Sequence, residues 1–217
     1  YYEYKVTRAS SFGQAHGYVA TGITVPSPEY RGQIILVVDN TFTLSLATEI
    51  SQLITDLKAD GSKVSRLDVS RTAQPSAIRS QIQTIWTADP TGVASVLLFG
   101  HVPVYRSGNI APDGHSSIPW ASDSYYGELS STWNNQTSLP SDVELNVGRI
   151  DMYNLPAFSQ TEEQLLRSYL TKLHEFKVKQ YIPQARGLLQ DNFTYISNPL
   201  AETGYRTFGP LVGAANY

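Results

Sequence analysis

The sequence contains no cysteine. Disulfides, thiolate metal sites and a cysteine nucleophile are therefore excluded within it. Charge is also scarce: Asp, Glu, Lys and Arg make up 16% of the 217 residues, with a net charge of −3. A nucleic-acid-binding surface would be basic, so composition argues against that class of partner. No apolar run reaches the roughly 18 residues that a membrane-spanning helix needs. Neither a G-x-S-x-G elbow nor an H-E-x-x-H helix occurs, so serine-hydrolase and zinc-protease chemistry have no motif to stand on. A nucleotide site would want a Gly-rich turn after the first buried strand. The turn here, "DNTFTLS", has no glycine.

Apolar residues are plentiful at 41%, enough for a packed core. Low charge combined with many Ser, Thr, Tyr and Asn residues leads us to expect a secreted or cell-surface protein. Two sequons, at Asn135 and Asn192, suit that setting.

The first thirty residues read as a hairpin. "YYEYKV" alternates, "GYVATGITVP" is β-rich, and the polar stretch "TRASSFGQAHG" connects them. A lone hairpin is marginal in water, so a partner sheet is expected. The segment "PSPEYRG" then reads as a linker.

From Ile34 the pattern changes. The continuous apolar run "IILVVD" (34–39) predicts a strand covered on both faces. A helix over roughly 43–60 follows, with Thr43 as N-cap and Gly61 as its stop. "KVSRLDV" (63–69) is a second strand. Gln74-Pro75 opens a second helix whose apolar face is Ile78, Ile82, Ile85 and Trp86, and Asp89-Pro90 ends it. "ASVLLFG" (94–100) is a third strand. The order βαβαβ predicts a parallel sheet with right-handed crossovers.

Residues 101–141 interrupt this rhythm as a long excursion rich in Pro, Gly, Ser and Asn, the kind of loop that is usually functional or disordered. A strand is expected at "VELNVGRI" (143–150). Ser159-x-x-Glu162 reads as a capping box for a long helix with Leu166, Tyr169, Leu170, Leu173 and Phe176 on one face. "ARGLLQD" (185–191) reads as another strand.

Several residues are candidates for chemistry. Asp39 ends the first buried strand, as acids do in phosphoacceptor receiver domains. Such a site also needs a second acid beside it and an aspartate ending the third strand, where Asn40 and Gly100 stand; Asp39 is therefore expected to cap local backbone N–H groups. His101 follows the third strand at its carboxyl end, where open α/β sheets place their sites, and His115 lies in the excursion. Either placement suits a general base or an ordinary hydrogen-bonding residue. His16 and His174 carry no supporting context. Asp113, Asp123, Asp142, Glu144 and Asp151 scatter around the excursion, where hard cations such as calcium want several oxygen ligands. Their spacing fits no EF-hand, and the competing expectation is that Asp123 holds backbone N–H groups of the loop. No other cofactor is expected.

The order of four segments, "SVLLFGHVPVY", "SDSYYGEL", "DVELNVGRIDMYNL" and "LLRSYLTKLHEFK", resembles that of the gingipain-like, caspase-fold cysteine peptidases. The matching positions are Leu97, Leu98, Gly100 and Pro103; Ser122, Asp123, Tyr126 and Gly127; Val147, Gly148, Arg149 and Ile150; and Lys172 and Glu175. The resemblance covers roughly 32–217. It implies an α/β fold: a three-layer parallel sheet, a caspase-like or Rossmann-like half-module, preceded by the N-terminal hairpin. It further implies the first, non-catalytic half of the family's two-part catalytic module. The family's catalytic His-Gly and Cys would belong to the second half, and His101-Val102 does not match that His-Gly. The hairpin is similar to the last strands of a fibronectin type III or immunoglobulin-like domain.

The domain expectation is thus 1–30 for those terminal strands, 31–182 for the first caspase-like subdomain and 183–217 for the start of a second, catalytic one. Tyr1 already falls in a strand-like alternation, and we expect an excised piece of a larger protein. The partners implied are the remaining subdomain, the preceding Ig-like strands and, for the whole protein, a peptide or protein substrate. Asp123, Tyr125, Tyr126, Gly127 and Arg149 would shape the loop at the sheet edge. A caspase-like scaffold or binding module without peptidase activity is the alternative, and a stand-alone flavodoxin-like ligand binder the third reading.

Overall fold

A computed structural model describes residues 2–11, 13–21, 29–111, 114–131, 143–188 and 209–213. The chain divides into two compact units, 1–174 and 175–217.

The first unit is mixed α/β, built on a parallel sheet of β3 (Gln33–Asp39), β4 (Lys63–Val69), β5 (Val93–Phe99) and β8 (Asn146–Ile150) in the order β4-β3-β5-β8. The apolar run of β3 explains its central place. Ile35, Leu36, Val37 and Val38 are all fully buried, so neither face of this strand meets water. Side chains alternate across the sheet. Ile35 and Val37 therefore pack on one side with Ile78 and Ile82 of α2 (Pro75–Ala88). Leu36 and Val38 pack on the other with Ile50 and Leu53 of α1 (Ala47–Ala59) and Leu166 and Leu170 of α3 (Glu162–Lys177). Burying such side chains is worth about 1.5–3 kcal/mol each. These stripes fix which helix covers which face.

The helix boundaries follow local chemistry, and two differ from expectation. The first helix starts at Ala47, with Leu46 in the cap position and no side-chain cap. Thr43 does not cap it, because residues 40–42 form a 3-10 turn that the Asp39 carboxylate caps through the Thr41 N–H; the Thr43 hydroxyl instead donates to the Asn40 carbonyl. Gly61 does end α1. Its φ of +94° suits glycine, and a Cβ there would run into the Glu29 carbonyl. The capping box of α3 is not Ser159 with Glu162. Thr161 and Gln164 form it reciprocally, at 2.9 and 3.3 Å. Glu162 is instead engaged by Arg71.

The second helix matches expectation, with Pro75 in its first turn. On the α3 face Leu166 and Leu170 are buried and Tyr169 and Leu173 pack against the core, whereas Phe176 is 52% exposed. Across α1 and α3, His174 Nδ1 sits 3.0 Å from Asp56 Oδ2, and Arg167 pairs with Glu49.

The excursion is not uniformly irregular. It contains a short antiparallel pair, β6 (Arg106–Ile110) with β7 (Ile118–Ala121), and a 3-10 turn over Asp123–Tyr126. At the N-terminus, β1 (Tyr2–Ser10) and β2 (Gly13–Thr21) form the expected hairpin, but the strands run through the stretch that reads as a connector. Cross-strand pairing continues as far as Ser10 and Gly13. Residues 4–10 and 13–19, wherever a side chain is described, are exposed.

In the second unit α3 ends at Lys177, Lys179 follows in the left-handed region, φ 61°, and the Gln180 and Tyr181 N–H groups donate to the Glu175 carbonyl. Residues 181–188 form no strand, so the described part of the expected strand at 185–191 is irregular, and Leu188 is 87% exposed. Residues 189–191 lie outside the described residues, as do Asp113, Asp142 and both sequons.

Candidate functional site

The sheet order reverses direction between β3 and β5. That switch point lies at the carboxyl ends of the strands, the place where open α/β sheets bind ligands. The residues gathered there are chemically dense.

Asp39, the last residue of β3, is fully buried. Its Oδ1 accepts from the Thr41 N–H at 3.0 Å. Its Oδ2 accepts from Arg71 Nε and Nη2 at 3.0 and 2.6 Å and from the His101 N–H at 3.2 Å. Gly100 makes the last contact feasible. Its φ is +80°, and a Cβ there would lie 2.6 Å from Asp39 Cβ. Burial acts to raise the pKa of Asp39, but the hydrogen bonds from Arg71 and Thr41 outweigh it and hold the carboxyl below its ordinary value. Arg71 also reaches both oxygens of Glu162 at 3.2 and 3.3 Å, and its guanidinium lies over the Phe42 and Tyr153 rings. Burial acts to lower the pKa of Arg71, and its two carboxylate partners raise it overall.

Next to this group His101 Nδ1 lies 3.0 Å from Asp151 Oδ2, and its ring stacks on Tyr153 with centroids 3.9 Å apart. Asp151 Oδ1 accepts from the Tyr153 N–H at 2.9 Å, and Arg149 Nη1 is 3.3 Å from Oδ2. Arg149 then closes the chain of contacts. Its Nε and Nη2 each lie 2.8 Å from an Asp123 oxygen, and Nη1 donates to the Val102 carbonyl at 2.7 Å. Burial opposes the charge on Arg149, but Asp123 and Asp151 keep it protonated and push its pKa up.

Below the 3-10 turn, Tyr126 is completely buried and its hydroxyl donates to the Pro103 carbonyl. Burial pushes the Tyr126 phenol well above its usual range. Tyr125 is also buried, stacked on Tyr105 at 3.8 Å and facing the Arg79 guanidinium. Gly127 approaches the Leu145 carbonyl so closely that a Cβ would collide with it, and its own carbonyl accepts the Glu144 and Leu145 N–H groups. The buried Glu128 pairs with Arg79 at 3.1 Å, which ties this segment to α2. Glu144 Oε2 accepts the Leu129 N–H at 2.6 Å. Burial works against ionisation of Glu144, yet that bond and those around it hold its pKa down.

The loop residues read from the sequence thus come together. Asp123 does so through the Arg149 guanidinium rather than through backbone N–H groups. His101 joins the cluster; His115 is exposed on the excursion. Of the acids considered for calcium, Asp123 faces Arg149, Asp151 faces His101 and Arg149, and Glu144 faces the Leu129 N–H. Among the described residues no group of three metal-ligating side chains stands together. Sequence reading missed Arg71, Glu162 and Tyr153. The available signal was position: Arg71 lies just past the end of β4 and Glu162 in the first turn of α3, both at the carboxyl side of the sheet. No family model, curated protein or solved structure matches the chain.

Proposed function

We propose that the chain is the non-catalytic, caspase-like half of a secreted or cell-surface gingipain-like cysteine endopeptidase. Its parallel sheet supports a catalytic half, and its carboxyl edge lends a rigid wall to the substrate cleft. One observation carries this reading. Segments that resemble the family separately in sequence interlock in space: Tyr126 bonds the Pro103 carbonyl, and Arg149 joins Asp123 to the Val102 carbonyl. Such a network fastens the described part of the excursion around the 3-10 turn to the strand ends, which is what a supporting wall requires. This chain has no cysteine, so on this reading the nucleophile belongs to the catalytic half, as a thiolate activated by histidine.

The test is to read the full open reading frame, to express this chain alone and within that frame, and to assay both for peptide cleavage. The reading expects a downstream His-Gly and strand-end Cys, cleavage only by the longer protein, and loss of cleavage when that Cys is replaced. A longer protein without such a Cys would instead be a caspase-like scaffold or assembly module. Cleavage by this chain alone would overturn the proposal.

A further inference from the structure

β4 is an edge strand: the sheet runs β4-β3-β5-β8, and among the described residues no strand pairs with its outer side. The Lys63 N–H donates to the Gly32 carbonyl, so Lys63, Ser65, Leu67 and Val69 turn their backbone groups toward β3. Val64, Arg66 and Asp68 turn theirs outward, and among the described residues no hydrogen bond reaches those outward groups. Such an edge invites another strand, and proteins often blunt it with charge, lysine above all. Here the charge has both signs. Val64 packs toward α1, and Leu67 and Val69 pack toward α2. Side chains alternate along a strand, so Arg66 and Asp68 share the α1 face, one on either side of Leu67. Their side chains are 31% and 46% exposed and meet at 2.6 Å.

Opposite charges placed evenly about Leu67 are self-complementary. Let a second β4 lie antiparallel along the outer edge, with a two-fold axis at Leu67. Arg66 then stands opposite the second copy's Asp68, and Asp68 opposite its Arg66. These are the residues whose backbone groups point outward, so each such pair exchanges both of its N–H···O bonds. Leu67 meets its own copy on the α2 face, in the pairing where side chains come closest. The other simple registers fail. An axis at Arg66 sets arginine against arginine, an axis at Asp68 sets acid against acid, and parallel in-register pairing does both.

We propose that the β4 edge is a homodimer interface, where two copies of this chain join their sheets through an antiparallel β4–β4 pair centred on Leu67. The contact is isologous and closes on itself, so it removes both open edges at once. It uses the edge opposite β8 and no residue of the Asp123–Arg149 network, and so is independent of the peptidase reading.

Sedimentation velocity of the intact chain, from micromolar to millimolar concentration, tests it. The expected result is a reversible monomer–dimer equilibrium. Arg66→Asp and Asp68→Arg each set like charges across the axis. Either change acts twice in a symmetric pair, so each variant alone is expected to associate at least about tenfold more weakly. Mixed in equal amounts, the two variants are expected to form a heterodimer, since one brings two acids and the other two arginines to the same register. The chain carrying both substitutions is expected to self-associate like the original. Circular dichroism checks that the variants fold. Amide exchange of the unsubstituted chain, followed by NMR, needs no variant: the Arg66 and Asp68 N–H groups should exchange more slowly as concentration rises, and the Leu67 N–H, already bonded to β3, should change far less. A chain that stays monomeric throughout, its edge blunted by charge or kept for a different partner, would overturn the proposal. So would a dimer that both single variants retain, or a mixture of the two that stays monomeric.

Discussion

Arg149 grips Asp123 with a bidentate guanidinium, both nitrogen–oxygen distances being 2.8 Å, and so joins β8, the edge strand of the sheet, to the 3-10 turn of the excursion. The Arg149 side chain is 15% exposed and that of Asp123 33%. The pair is therefore too shielded to be an ordinary surface bridge, and a planar fork matched to a carboxylate does not tolerate a point charge in its place. Arg149→Lys is expected to cost about 1–2 kcal/mol and Arg149→Ala about 3–5 kcal/mol, because the second change leaves Asp123 and Asp151 without their cation. Urea unfolding of each variant, combined with Asp123→Ala in a double-mutant cycle, measures this. A coupling near zero would show that the two side chains hold the loop independently.

Gly100 permits the approach of β5's end to Asp39. Gly100→Ala places a side chain in a left-handed conformation, costing about 1–2 kcal/mol, and puts its Cβ against Asp39 Cβ, where overpacking costs about 1–3 kcal/mol more. The expected loss of about 2–5 kcal/mol should appear in the denaturation midpoint. Gly148→Ala is the control, since a Cβ there meets Leu97 at an ordinary 3.7 Å.

The main strands and helices were legible because their signals are local. The run Ile34–Val38 declares a doubly covered strand, and Pro75 declares a helix start. The cap of α3 is ambiguous in the sequence because two overlapping pairs, Ser159 with Glu162 and Thr161 with Gln164, satisfy the same rule, and the engagement of Glu162 by Arg71 separates them. Phe176 fell on the apolar face by periodicity although that face leaves the core before it. At the site, the resemblance singled out Asp123 and Arg149 individually. Their pairing, and that of Asp39 with Arg71, depends on strand order and register, which no short window contains.

The face of α3 gives a contrast that tests this directly. Leu166 is fully buried against β3 and α1, so Leu166→Ala should cost about 2–5 kcal/mol. Phe176→Ala, on the same helical stripe but half exposed, should stay within about 0.5 kcal/mol. Equal losses in thermal or chemical melts would show that the stripe is buried along its whole length.

Asp39 makes stability depend on acid. Its folded pKa lies below the ordinary 3.8, so between those values the unfolded chain binds the proton that the folded chain refuses. The contribution is fully present above the unfolded value and disappears as pH falls through the folded one. Glu144, also depressed from 4.5, adds in the same direction. Unfolding free energy should therefore fall steeply below about pH 4, and Asp39→Asn should flatten that slope while lowering stability at neutral pH by about 3 kcal/mol, because Arg71 loses its buried partner. Guanidinium or urea melts from pH 3 to 7, a span of about four units chosen to bracket carboxyl titration, would show an unchanged slope if Asp39 were not the group responsible.

The hairpin of β1 and β2 is expected to be dispensable to the sheet. Among the described residues, neither apolar cluster around the parallel strands contains one before Ile35, and the described side chains of both hairpin strands face solvent. Glu29 must be kept, because its carbonyl lies against Gly61, and so must Arg31, whose N–H donates to the Gly61 carbonyl at 3.0 Å. A chain beginning at Glu29 should thus unfold cooperatively, with a midpoint close to that of the full chain, since removing exposed strands takes no apolar surface from either core. Two strands alone bury too little to persist in water, so the excised hairpin should show little β signal in circular dichroism. Loss of the cooperative transition in the shortened chain would mean that the hairpin belongs to the folding unit, and with it that the domain boundary near residue 30 is misplaced.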